Sequence, residues 1–69
     1  MSSMNVAWTW HDIGDACMLG KNHATAVEAY ETAFSIRKEA LGEDDEDTIE
    51  TAEALIKAKA ALLEVVTDM

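Results

Sequence analysis

Sixty-nine residues make one small domain, and fourteen acidic against five basic side chains give a formal charge of −9. So few cations cannot track a nucleic-acid backbone. No apolar run approaches the ~20 residues of a membrane span, and the single cysteine cannot form an internal disulfide.

Apolar residues are 49% of the chain, but twelve of them are alanine. Large core side chains are therefore scarce. At this size, association with another chain is the usual remaining stabiliser. Met1-Ser2-Ser3-Met4 lacks the basic and apolar regions of a secretory signal. With a lone thiol, a cytoplasmic location is expected. Proline is absent, helix formers dominate and strand-type alternation is missing. The chain reads as all-α, with three helices in one domain over residues 1–69.

The first helix is expected over residues 5–19, with Ser3 or Asn5 capping its start. Val6, Trp10, Ile13, Gly14 and Cys17 recur at spacings of three and four and share a face. Gly20-Lys21-Asn22 ends the helix, with glycine as the stop signal. The second helix is expected over residues 24–41, with Asn22 or His23 at the cap. Its stripe is Ala26, Val27, Tyr30, Ala33, Phe34 and Leu41, with Ile36 or Arg37 covering the gap. Gly42 is its stop signal.

An acidic linker follows over residues 43–47. Asp47-Thr48-Ile49-Glu50 has capping-box spacing, and a start at Asp45 fits equally. The acidic side chains favour the positive end of the helix dipole. The third helix is expected over residues 48–66. Ile49, Ala52, Leu55, Ile56, Ala60 and Leu63 form its stripe, which Leu62, Val65 and Val66 widen. Thr67-Asp68-Met69 is expected to fray.

Trp10-x2-Ile13-Gly14-x2-Cys17 precedes Ala26-x3-Tyr30-x2-Ala33. This resembles the tetratricopeptide repeat signature of W-x2-L-G-x2-Y followed by A-x3-F. The tail from Ile36-Arg37 through Leu41-Gly42 to Thr48 resembles the longer linker of kinesin-light-chain-type repeats, of about 42 residues. Asp45-Glu46 stands where that family has His-Pro. The resemblance implies antiparallel helices, with one full hairpin plus a capping or next-repeat helix. Small residues at Gly14, Ala26 and Ala33 would sit where the helices approach closely. Shifting the register by the repeat length puts Ile56 at the Gly14 position and Lys59 at the Cys17 position. The third helix therefore departs from the repeat pattern.

The resemblance also implies a concave groove lined by Trp8, His11, Asp15, Met18 and Leu19, with Glu50, Glu53 and Lys57 from the third helix. Trp8 lies off the Trp10 stripe. It is either an interface anchor or packs against the third helix or Met4. His11 and Asp15 stand where carboxylate-clamping repeats carry Lys and Asn, which disfavours such a clamp. The acidic groove favours a neutral or basic protein or peptide partner.

Chemistry finds little support. His11 and Asp15 could hold half a metal site, but an exposed polar pair is the plainer reading. His23 reads as a cap or surface residue. Cys17 lacks the base and the electropositive setting of a nucleophile. The acidic linker lacks the glycine and spacing of a calcium loop. No catalytic, cofactor or metal set is expected, and the chain reads as an interaction module or small scaffold. The alternative is a self-assembling helical protein whose repeat faces are buried by homo-oligomerisation. On either reading a homo-oligomer, or a subunit of a larger assembly, is expected.

Overall fold

The computed structural model describes residues 3–67, and the side chains of residues 6–64. It contains α1 (Ser3–Leu19), α2 (His23–Leu41) and α3 (Glu46–Thr67). Each begins one or two residues earlier than the sequence predicts. The expected caps Ser3 and Asn5, a Met4 contact, the contribution of Val65 and Val66, and the fraying end lie outside the described side chains or residues.

α1 packs on α2 and α2 on α3, whereas α1 and α3 meet through few side chains. The Cα atoms extend 42 × 22 × 13 Å. The helices thus lie side by side in a shallow curved layer and enclose no common axis. Such a layer leaves much surface open. The accessible area is 4670 Å², against about 4,200 Å² for a compact monomer of this mass.

The connections follow from local chemistry. α1 ends in a Schellman motif: the Asn22 amide donates to the Cys17 carbonyl at 2.7 Å and the Lys21 amide to that of Met18 at 3.1 Å. The left-handed residue is Lys21, at φ 62°, and not the expected Gly20. Asn22 occupies the cap of α2, but its side chain makes no capping bond. Gly42 ends α2 at φ 91°, as its stop-signal role requires. α3 starts from the earlier of its two candidate caps. Asp45 Oδ1 accepts from the Asp47 amide at 3.0 Å, and the Asp45 carbonyl accepts from the Ile49 amide at 2.9 Å.

The core is built of small residues. Ala7, Ala29 and Ala33 are buried, and Ala26 and Ala58 cluster with Tyr30, against which the half-buried Cys17, Met18, Val27, Ala54 and Leu55 pack. Gly14 lets α1 approach the Tyr30 ring. A Cβ there would lie 2.5 Å from Tyr30 Cε1.

Three expectations about packing are corrected. On α1 the buried face is Ala7, His11 and Gly14, while Val6, Trp10 and Ile13 remain exposed. On α2 Arg37 is the residue that covers the gap and is fully buried, while Leu41 stays at the surface. On α3 Thr48, Thr51 and Ala58 face inward. Ile49, Ile56 and Leu63 lie on the far side, with Ile56 65% and Leu63 67% exposed. Small side chains on the inner face admit close packing and leave space for the Arg37 side chain. The larger ones are carried on the other side of the same helix.

Candidate functional site

Two features occupy the concave side, where α1 and α3 flank α2. The first is a polar staple around Arg37. Its Nη1 donates to the Asp47 carbonyl at 3.0 Å and to Thr51 Oγ1 at 2.5 Å, tying the end of α2 to the start of α3. The guanidinium lies 4.5 Å from the centre of the Trp8 ring, which ties in α1 as a cation–π pair. Its Nε and Nη2 have no hydrogen-bond partner. Thr51 Oγ1 donates its only hydrogen to the Asp47 carbonyl at 3.1 Å. It accepts from Arg37 and lies within hydrogen-bond distance of His11 Nδ1, at 3.3 Å.

The second feature is a cleft of about 390 Å³, lined by His11, Asp15 and Met18 of α1, Tyr30 of α2, and Glu50, Glu53, Ala54 and Lys57 of α3. Its α1 wall is tied to Tyr30. Tyr30 O–H donates to Asp15 Oδ1 at 2.5 Å. The His11 ring sits edge-on to Tyr30 at 5.3 Å and to Trp8 at 6.3 Å. His11 Nε2 lies 3.7 Å from Asp15 Oδ2. Burial first, then the Asp15 hydrogen bond and charge, push the Tyr30 hydroxyl well above its ordinary pKa of 10 and keep it a donor.

The structure thus gathers His11, Asp15, Met18, Glu50, Glu53 and Lys57 of the predicted groove set around one cleft. Leu19 stands apart, 88% exposed at the end of α1. Trp8 also stands outside the cleft, 45% exposed, with one face taken by Arg37. It reaches α3 through that guanidinium. His11 is not the exposed partner of Asp15 that its sequence position suggests. It is buried, because Thr51 on α3 offers it a hydrogen bond.

Sequence reasoning did not assign Tyr30 and Arg37 to this region. Both read as packing residues of α2, and only the Ile36-Arg37 pair within the longer-linker resemblance marked Arg37. Among the described residues, no group of three His, Cys, Asp or Glu side chains is placed to hold a metal ion. No helix there is long and apolar enough to cross a membrane.

Residues 5–61 match the family model of the tetratricopeptide repeat. The chain belongs to the tetratricopeptide repeat family. The match is to the kinesin-light-chain type and spans α1, α2 and most of α3. Repeats of this family are in general protein-interaction modules and not enzymes. No curated protein and no solved structure gives a significant match. In this repeat Gly14 of the first helix seats Tyr30 of the second.

Proposed function

We propose that this repeat protein is an interaction module or small scaffold subunit. It takes a peptide or helix of a protein partner in the cleft between α1 and α3 and carries out no catalysis of its own. The observation that carries the reading is the cleft itself. Met18, Ala54 and the Tyr30 ring give it apolar surface, while Asp15, Glu50 and Glu53 outnumber Lys57 at its walls. Apolar surface with a few converging polar groups is the usual make-up of a binding site. The excess of carboxylates, on a chain of charge −9, favours a neutral or basic partner. A cytoplasmic location is part of the same proposal.

The test uses isotope-labelled protein and three synthetic helical peptides of equal length, rich in lysine, in glutamate or in glutamine. The lysine peptide is expected to shift the amide resonances of Met18, Ala54 and Lys57, with an affinity that falls as salt shortens the ~10 Å screening length of 0.1 M. Binding of none of the peptides, or shifts confined to other surfaces, overturns the reading.

A further inference from the structure

We infer that the outer face of α3 is a self-complementary surface that pairs antiparallel with α3 of a second copy, about a two-fold axis at Ile56. α3 spans Glu46–Thr67 and buries Thr48, Thr51 and Ala58 towards α2. Ile49, Ile56 and Leu63 lie seven apart on the opposite side, 44%, 65% and 67% exposed. At ~100° per residue they fall within about 20° of one line along the helix. The seven-residue spacing is that of a two-helix seam.

The pattern around Ile56 reads alike in both directions. Ile49 and Leu63 stand seven residues before and after it, and Ala52 and Ala60 stand four before and after. An antiparallel partner centred on Ile56 therefore sets Ile49 against Leu63, Leu63 against Ile49 and alanine against alanine. The small pairs let the helices approach, and the large pairs fill the seam between them. A two-fold interface demands this self-matching, in which residue i meets j and j meets i.

The flanking charges agree. Glu53 and Lys59 stand three residues before and after Ile56. The register that sets Ile49 against Leu63 therefore sets Glu53 of each copy opposite Lys59 of the other, giving two opposite-charge pairs.

Ile56 also explains why this face differs from its counterpart on α1. The 42-residue register sets Ile56 where Gly14 admits the Tyr30 ring. A helix seated there as α2 is seated on α1 would meet an isoleucine. The exposed patch of α1, formed by Val6, Trp10 and Ile13, has no such symmetry. Glu50, Glu53 and Lys57 all stand on the same flank, so the two clefts of the dimer open on the same side of the pair. This inference does not depend on what the cleft binds.

Light scattering over a concentration series of the chain is expected to give twice the monomer mass, with no further growth. Ile56→Glu, at an exposed position, is expected to halve that mass while far-ultraviolet circular dichroism stays unchanged. In a Cys17→Ala background, Ile56→Cys is expected to cross-link with itself on oxidation. Ile49→Cys is expected to cross-link with Leu63→Cys in a mixture and not with itself. A monomer at high concentration overturns the inference, as does a mass that keeps rising. So does a dimer indifferent to Ile56→Glu, or cross-linking without this register.

Discussion

Gly14→Ala tests the contact that sets the α1–α2 distance. The added Cβ would lie 2.5, 2.7 and 2.8 Å from three atoms of the Tyr30 ring. Ordinary carbon contacts need about 3.5–4.0 Å, so one side must move by roughly 1 Å. Tyr30 is poorly placed to yield. It is 3% exposed, hydrogen-bonded to Asp15 and backed by His11. The helices must separate instead, and overpacking of this kind costs about 1–3 kcal/mol. Alanine recovers about 1 kcal/mol of helix propensity over glycine. The net expectation is a loss of up to about 2 kcal/mol, which lowers Tm by about 4–8 °C per kcal/mol in a domain of this size. Urea denaturation followed by circular dichroism reads this directly. Coupling makes the test specific: in a Tyr30→Leu background the clash is gone, and Gly14→Ala is expected to stabilise. A Gly14→Ala protein as stable as the parent in both backgrounds would refute the steric account.

Arg37→Lys keeps the charge but cannot bridge two acceptors while stacking on Trp8, and is expected to cost about 2 kcal/mol in urea denaturation. Gly42→Ala is expected to cost about 1–2 kcal/mol in the same assay, since φ 91° disfavours a Cβ even though open space surrounds the position. Lys21→Gly should gain roughly 0.5–1 kcal/mol by relieving the left-handed residue, read as a raised Tm. The raised pKa of Tyr30 gives a pH signature. Above pH 10 the unfolded chain releases that proton while the folded chain retains it, so stability falls with rising pH. The slope from this group approaches about 1.4 kcal/mol per pH unit, and it should vanish in Tyr30→Phe when the two proteins are melted side by side.

Much of this architecture is legible in the residues. Gly20, Gly42 and the acidic run mark both connections, and the spacing of Gly14 and Tyr30 carries the hairpin. What stayed hidden has a common cause. Periodicity reveals that a helix has an apolar stripe, but not which face meets its neighbour. α3 carries two faces, and the bulkier Ile49, Ile56 and Leu63 face suggests a core while the Thr48, Thr51 and Ala58 face makes one. His11 and Arg37 were obscure for a related reason. Their burial depends on Thr51 and the Asp47 carbonyl, partners separated from them by forty and by ten to fourteen residues. No local pattern announces such a pairing.

In the proposed function the acidic cleft between α1 and α3 selects the partner by charge. The most direct measurement is the affinity of Glu50→Lys for the lysine-rich and glutamate-rich peptides, compared with the parent by titration calorimetry at low salt. Glu50 lines the cleft from an exposed position on α3, so the substitution changes charge and leaves the packed faces alone. The preference for the lysine peptide is expected to collapse, and the glutamate peptide is expected to gain. An unchanged preference would contradict selection by charge.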